Sequence, residues 1–382
     1  MATDETPFLD LPAGLVEEML GQTSRVGDLL LETFRRVRAD RATLRQTLVD
    51  RKLVLNESEL GFPPLPTTCA ADGSYAIERL LTVDLAAAAA VAVEGLTPPS
   101  EKRHWEQPHH STFVVAEVHH AETATVLRSV MLGRELQMAT AAPHDLIMID
   151  GTLTLPIIYF NQATNQSREV PGLQCSQEFA AHCASYLEAY AAILRSERSD
   201  KNYAGLPKYS TRREIGQSAG WPGQHDDRDL LTLLLQPGEL TRPLPLEAPG
   251  QPWHLSTGGL PAASQHRAQE LAAEIIQQIK RVHVFYYKPQ TWLPALRVEI
   301  AQNIASNNHR LALVVQGLKH QCSTAAMMEP YPLYLADRTV KALAKAVPAF
   351  RQVTTQRICE SYEGEIGEVF FAMHGYRSET GV

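Results

Sequence analysis

Two Asp-Gly dipeptides, Asp72-Gly73 and Asp150-Gly151, are the residues of this sequence best placed to do chemistry. Each follows a short apolar run, Thr68 to Ala71 in one case and Leu146 to Ile149 in the other. A strand that ends in this way presents a carboxylate where the chain turns, and the glycine supplies both the turn and room for a ligand. Asp-Gly is also a common turn dipeptide, so a purely structural role is the alternative at each position.

Two further carboxylates could complete a site with these aspartates. Glu135 lies on a predicted helix, Ala121 to Met138, and Asp337 is expected near the start of a helix that follows an extended segment held by Pro330 and Pro332. Oxygen ligands suit Mg²⁺ and Mn²⁺, and metal ions held between shared carboxylates catalyse phosphoryl transfer. The alternatives are a solvent-facing glutamate on an amphipathic helix and an aspartate that caps a helix N-terminus.

The elements that would position these residues alternate between helices and strands. Helical periodicity runs from Leu11 to about Leu55, and Gly61 to Pro66 ends it, which predicts an N-terminal helical region over residues 1–60. Residues 61–382 are predicted to form an α/β domain with a helical insertion at about 177–281. Its other main elements are expected at Phe113 to Val118 and Val282 to Tyr287 as strands, and at Gln177 to Arg198, Asp227 to Leu235 and Ala268 to Arg281 as helices.

Composition and charge exclude several classes of protein. Hydrophobic residues make up 44% and charged residues 20% of the 382 residues, which is typical of a globular chain. The formal net charge of -8 argues against a protein that coats nucleic acid, because neutralising phosphates needs clustered Lys and Arg. The most apolar run, Leu85 to Val93, is too short to cross a bilayer. Five cysteines without a CxxC pair, and an N-terminus without a signal-peptide pattern, predict a cytoplasmic protein with reduced thiols.

Other conspicuous residues are assigned structural roles. The pairs His109-His110 and His119-His120 invite a zinc hypothesis, but adjacent strand residues point to opposite faces and no cysteine spacing supports it. Phe285-Tyr286-Tyr287 could stack on unpaired bases, although aromatic residues in an apolar strand favour a place in the core. Cys69 is expected to be buried packing rather than a nucleophile.

Taken together, the motifs resemble the NurA family of DNA-end-processing nucleases. The matching segments follow the family order from about Thr68 to His374, and their order and spacing carry the resemblance more than any one of them does. They are Ala71-Asp-Gly-Ser74, Arg134-Glu135, Leu146-Ile-Met-Ile-Asp-Gly151, Gly205-Leu-Pro-Lys208, Asp227-Arg-Asp-Leu-Leu231 with Pro237-Gly-Glu239, Phe285-Tyr-Tyr-Lys288 with Arg297-Val-Glu-Ile300, and Pro330-Tyr-Pro-Leu333 with Ala336-Asp337.

The resemblance implies a fold, an activity and partners. It implies an RNase H-like mixed-sheet core with surrounding helices, Mn²⁺-dependent (or Mg²⁺-dependent) cleavage of DNA, a homodimer, and work with a hexameric HerA-type ATPase in repair or antiviral defence. The N-terminal helical appendage is predicted from the periodicity alone and gains nothing from the resemblance. No Walker-type motif occurs in the chain, so energy for translocation would come from that partner.

Site residues also follow from the resemblance. Asp72, Glu135 and Asp150 match the acidic metal ligands of the family, and Asp337 falls where the family has a late His or Asp. Where some members carry a Tyr before the Pro-x-Pro-Leu segment, this sequence has Glu329, which puts a Tyr-dependent step in doubt and leaves room for an extra carboxylate.

Two cationic residues, Lys208 and Arg134, are expected to contact DNA phosphates. The alternative to an active nuclease is a non-catalytic DNA-end-binding or regulatory subunit of a HerA-type motor complex. The presence of all four candidate carboxylates favours the enzyme.

Overall fold

The computed structural model describes residue 9 and residues 11–223 and 226–375. Most of the acidic N-terminal decapeptide, which has no signal-peptide pattern, therefore lies outside the described residues. By its internal contacts the chain divides into two units, Met1–Leu53 and Val54–Val382. The first unit holds one long helix, α1 (Ala13–Asp50), as the periodicity of the N-terminal region predicts.

The second unit is built on one mixed sheet, which within the described residues has ten strands. In chain order these are β1 (Val54–Asn56), β2 (Thr68–Arg79), β3 (Asp84–Glu94), β4 (His109–Glu117), β5 (Leu146–Asp150), β6 (Asn202–Leu206), β7 (Glu239–Thr241), β8 (Leu244–Pro245), β9 (Val282–Tyr287) and β10 (Leu296–Ala301). Their order across the sheet is β1-β7-β9-β10-β6-β5-β2-β3-β4, with β8 paired to β9. Strand β5 runs parallel to both of its neighbours, β2 and β6. The other pairs of neighbouring strands in the described residues are antiparallel.

Helices surround the sheet, so the predicted α/β core with a mixed sheet is confirmed. They are α2 (Thr123–Ala141), α3 (Leu155–Glu169), α4 (Gln174–Arg195), α5 (Glu214–Ala219), α6 (Asp227–Leu234), α7 (Ala262–Ile279), α8 (Gln302–Ala305), α9 (Asn308–Gln321), α10 (Tyr331–Ser361) and α11 (Ile366–Ala372). The segment 177–281, predicted as a helical insertion, also contributes β6 to the centre of the sheet. Among the described residues, no helix combines the length and the apolarity that a membrane span requires.

The sheet separates two hydrophobic layers, and alternate residues of each strand enter different ones. On β2 and β5, Ala71 and Ile149 pack in the layer of α2, whereas Ala70 and Met148 pack in the layer of α9 and α10. This alternation is the two-residue period of an extended strand. The same alternation determines the face of the sheet toward which the residue after Ala71 and the residue after Ile149 point.

Strand β3 is unusual because all eleven of its residues are buried and most are alanine. Ala86, Ala88 and Ala92 belong to the α2 layer, and Val91 and Val93 belong to the α10 layer. Helices pack against both faces of this strand and of β2 beside it. Side chains as small as alanine let the helices approach the sheet closely.

Candidate metal centre

Asp72 and Asp150 lie side by side on the parallel strands β2 and β5. The register pairs Ala71 with Ile149, so each aspartate is the next residue along its strand. By the alternation of side chains, both carboxylates point toward the layer of α10. One oxygen from each of Asp72, Asp150 and Asp337 lies within 4.8 Å of the other two. The structure therefore brings three of the four predicted carboxylates to one point.

The prediction that both dipeptides end a strand is half wrong. Strand β5 does end at Asp150, and Gly151 has a positive φ of 103°, as the turn requires. Asp72-Gly73 instead lies inside β2, where Asp72 pairs with Val91 of β3. Hydrogen bonds to β3 continue through Arg79, and this ladder overrides the local turn preference of the dipeptide.

Gly73 does not form a turn; it leaves space beside β2 for the side chain of Glu135. Its position on β2 directs a side chain toward α2, and a Cβ added there would lie 2.8 Å from Met131 Cγ and 3.3 Å from Glu135 Oε2. The glutamate thus approaches the sheet from the face opposite Asp337, through the gap that the glycine leaves. Glu135 is buried, with a relative exposure of 3%, so the solvent-facing alternative is wrong.

Asp337 does not cap a helix. The segment predicted as extended is already helical, because α10 begins at Tyr331 and places Pro332 in its first turn. Proline is accepted there because its missing N–H would have no partner in any case. Asp337 falls in the second turn, on the stripe with Leu333 and Val340 that packs in the sheet-facing layer.

Lys208 supplies the cation of the cluster. It lies two residues beyond β6, which pairs in parallel with β5. Its Nζ is 3.0 Å from Asp150 Oδ2, 3.2 Å from Glu329 Oε2 and 3.3 Å from Asp337 Oδ1. Glu329 is therefore a fifth carboxylate at the site. The ammonium group occupies a position suited to a cation among oxygen ligands.

Crowding of the acids raises several pKa values. Burial, and then the charge of Asp150, raise the pKa of Asp72 to about 7. Burial and the charges of Asp72 and Asp150 raise the pKa of Glu135 well above its usual range. Burial also raises the pKa of Glu329, against the lowering effect of Lys208. Burial, together with the repulsion between neighbouring carboxylates, therefore favours the protonated forms of these acids.

The donor set fits a divalent metal ion. Glu135 Oε1 is buried without a hydrogen-bond partner among the described residues, and a buried polar atom of this kind is costly unless something binds it. Carboxylate oxygens are the ligands that Mg²⁺ and Mn²⁺ prefer. The cluster of Asp72, Asp150 and Asp337, with Glu135 beside it, has the chemistry of a hard-cation site.

Arg134 is engaged elsewhere, although it is adjacent to Glu135 in sequence. Its guanidinium forms an ion pair with Glu178 and donates a hydrogen bond to Ser111 Oγ at 2.6 Å. It also lies 6.0 Å from the centre of the Phe113 ring. Adjacent residues of a helix point in different directions, so Glu135 and Arg134 face different surroundings.

A buried network that the sequence did not predict holds the loop after Asp150. Glu299 Oε2 accepts hydrogen bonds from the Thr152 hydroxyl at 2.6 Å and from the Leu153 N–H at 2.9 Å. Arg297 donates to Glu299 at 3.1 Å and to both oxygens of Glu214, at 2.8 and 2.9 Å. In the sequence, the sign of this network is the pair Arg297 and Glu299, two opposite charges at alternate positions of an apolar strand.

The remaining sequence hypotheses concern packing. Phe285, Tyr286 and Tyr287 are fully buried, so their assignment to the core is confirmed. Cys69 is buried as well, and all five cysteines lie in the described residues and are free. His119 contacts Asp84 at 2.7 Å. No histidine belongs to a metal-binding group in the described residues.

Comparison with known proteins identifies the family of the chain and proteins of similar fold. A family model, the NurA domain, matches residues 66–341. The fold is similar to that of the NurA nuclease from Sulfolobus solfataricus, with a TM-score of 0.52 and 14% identity over 89% of this chain and 99% of that one. It is also similar to a NurA structure with bound dAMP and manganese, with a TM-score of 0.55 and 13% identity over 90% of this chain and 98% of that one. No curated protein matches the sequence.

Proposed function

The chain belongs to the NurA family, and from that premise we propose that it is a metal-dependent deoxyribonuclease that hydrolyses phosphodiester bonds in DNA. The observation that carries the proposal is the convergence of three carboxylate oxygens within 4.8 Å at the carboxyl end of β5 and the middle of β2. Glu135 and Glu329 add acidic groups around them. A cluster so acidic gains from binding divalent cations, and such cations serve phosphoryl transfer.

Asp72, Asp150 and Asp337 would hold Mn²⁺ or Mg²⁺, with Glu135 as a further ligand. Such ions offset the negative charge that develops on the phosphoryl oxygens and activate water for in-line attack. The NurA structure with dAMP and manganese supports both the metal and the substrate class.

The other residues of the site position these groups. Glu299 fixes Thr152 and Leu153, and so the direction in which the chain leaves Asp150. Lys208 neutralises the carboxylates before metal binds and can then turn its ammonium to a phosphate of the substrate. We do not assign Arg134 to DNA binding, because its ion pair with Glu178 neutralises its charge.

For the biological setting we propose a cytoplasmic homodimer that acts on DNA ends with a HerA-type ATPase, in repair or in antiviral defence. Family membership supports this assembly. The acidic balance of the chain fits an enzyme to which a partner delivers DNA. We also propose an N-terminal helical region over residues 1–60 ahead of a nuclease domain over 61–382, and the division at Leu53 supports a boundary in this region.

The test is a cleavage assay on linear single- and double-stranded DNA with Mn²⁺, with and without a HerA-type motor. Wild-type protein should degrade DNA and Asp150→Asn should not, while Asp200→Asn, which changes an exposed aspartate, should match the wild type. Circular dichroism shows whether each variant folds. If the wild type and Asp150→Asn show the same residual, metal-independent activity in every condition, the chain is instead a non-catalytic DNA-end-binding or regulatory subunit.

A further inference from the structure

Helix α1 presents an apolar stripe to solvent. At 3.6 residues per turn, five exposed apolar residues lie within a sector of about 100° of the helix surface. They are Leu15, Met19, Val26, Leu29 and Leu30. A stripe of this width is typical of a helix that packs its apolar face against another element.

The first half of α1 has no buried residue to stabilise it. All residues from 13 to 32 are described, none of them is buried, and Val16 alone is half-buried. This half also contains Gly14, Gly21 and Gly27, and a methyl added at any of them would meet nothing within 4 Å. Glycine weakens a helix relative to alanine, and helices in proteins owe most of their stability to the packing of an apolar face. The helix therefore needs a partner that covers the stripe.

The charges of α1 are divided between its two halves. Residues 13–32 contain four acidic residues and one arginine, a net charge of -3, whereas residues 33–50 contain five arginines and two aspartates, a net charge of +3. If two copies of the helix lie antiparallel, the acidic half of each meets the basic half of the other, and two-fold symmetry provides this attraction twice. A parallel pair would place like charges side by side. The helix is thus complementary to a second copy of itself in one orientation.

Family membership does not account for this surface, because the family model matches residues 66–341 and α1 ends at Asp50. We propose that α1 is an interaction surface for a second copy of this chain, and that two α1 helices pair antiparallel through the apolar stripe. The inference goes beyond the proposed nuclease activity and does not depend on it. It assigns a surface to the proposed homodimer.

The apolar contact is tested with the full-length chain, by measuring the dissociation constant of the dimer in sedimentation equilibrium. Leu30 lies near the middle of the 38-residue helix, so in an antiparallel pair its two copies come close together. Leu30→Asp would bury two carboxylates beside each other, and the dimer should weaken by about a hundredfold or more.

The matched control is Leu20→Asp. Leu20 is 52% exposed and Leu30 is 55% exposed, but Leu20 lies on the other side of the helix from the stripe. The dissociation constant of Leu20→Asp should therefore stay close to that of the wild type. Circular dichroism shows whether both variants keep the helix content of the wild type.

Charge reversal tests the orientation. Glu17→Arg with Glu18→Arg gives both halves a net positive charge, and Arg38→Glu with Arg41→Glu gives both halves a net negative charge. Each pair of substitutions should weaken an antiparallel dimer by about tenfold at low ionic strength, and all four in one chain should restore it. In a parallel dimer, each pair would instead reduce the repulsion and tighten the association.

Two results would overturn the proposal. One is a dimer whose dissociation constant is the same for Leu30→Asp and the wild type, and the other is a wild-type chain that stays monomeric at every concentration. Mn²⁺-dependent cleavage, measured separately, tests the nuclease function alone. A chain that cleaves DNA but does not pair through α1 rejects the surface and keeps the nuclease, and a chain that pairs but does not cleave does the reverse.

Discussion

Asp72 and Asp150 stand one residue beyond the register pair Ala71 and Ile149, and their carboxylate oxygens lie within 4.8 Å of each other across two hydrogen-bonded strands. Two carboxylates this close act on a cation as one unit. Asp72→Asn and Asp150→Asn should each lower kcat by about a thousandfold or more, and the double variant should be no slower than either. Steady-state cleavage of a labelled linear duplex measures this, and multiplicative losses would show that the two carboxylates act independently.

Lys208 is expected to compete with metal for the carboxylates that it contacts. Lys208→Met keeps the length of the side chain and removes the ammonium from Asp150, Glu329 and Asp337. Mn²⁺ should therefore bind more tightly, by about tenfold, since one nearby charge shifts such equilibria by on the order of 1 kcal/mol. DNA cleavage should nevertheless fall. Isothermal titration calorimetry gives the affinity.

The matched control for that variant is Lys341→Met. Lys341 contacts Asp337 at 2.9 Å, and its side chain is 65% exposed. Solvent screens this pair, so its removal should change Mn²⁺ affinity little. Weaker Mn²⁺ binding by Lys208→Met than by the wild type would mean that the lysine organises the site rather than competing for it.

Mn²⁺ affinity should depend on pH through Asp72. The pKa of this carboxyl is raised to about 7 in the metal-free protein by burial and by Asp150, so below that pH it holds a proton that metal must displace. The proton on Asp72 should by itself make the affinity rise by up to about tenfold per unit from pH 5 to 7. Glu135, whose pKa burial also raises, should add to this rise. Calorimetry in two buffers of different ionisation enthalpy counts the protons released, and no release at pH 6 would contradict the assignment.

Gly73→Ala tests the gap through which Glu135 reaches the site. The new methyl would meet Met131, which is flexible, and Glu135 Oε2, which would have to retreat. We expect cleavage and Mn²⁺ affinity to drop about tenfold, while the free energy of unfolding changes by no more than about 1 kcal/mol. Gly172→Ala, where the added methyl meets nothing within 4 Å, is the control. If Gly73→Ala were as active as the wild type, the function of Glu135 would not depend on the space beside Gly73.

Local patterns predicted the parts of the fold that local physics decides. The apolar run before Asp150 did give a buried strand, and the helical periodicity around Glu135 did give α2. Asp72-Gly73 shows where a local sequence pattern fails to predict the structure. The dipeptide favours a turn in isolation, but β2 is hydrogen-bonded along its length to the next strand, β3. The partner of Asp72 is Val91 on that strand, and a preference read from two residues does not include this pairing.

The site needed the same long-range information. Lys208 is far in sequence from Glu329 and Asp337, and it meets them only because β6 lies beside β5 and α10 packs on the sheet. The link from Arg297 and Glu299 to Thr152 also depends on strand order, since β10 neighbours β6. Sequence could nominate the carboxylates, but only the fold shows which cations and hydrogen bonds surround them.

The alanines of β3 limit the substitutions that this strand can accept. Glu135 and Asp337 approach the carboxylates from opposite sides of the sheet. On the α2 side, the distance between the helix and β3 is set by alanine side chains, which end at a single methyl. A valine at Ala88 or Ala92 would lift α2 away from the metal ligands without altering any group that touches metal or DNA. In β3, therefore, the site depends on small side chain volume at residues that have no chemistry of their own.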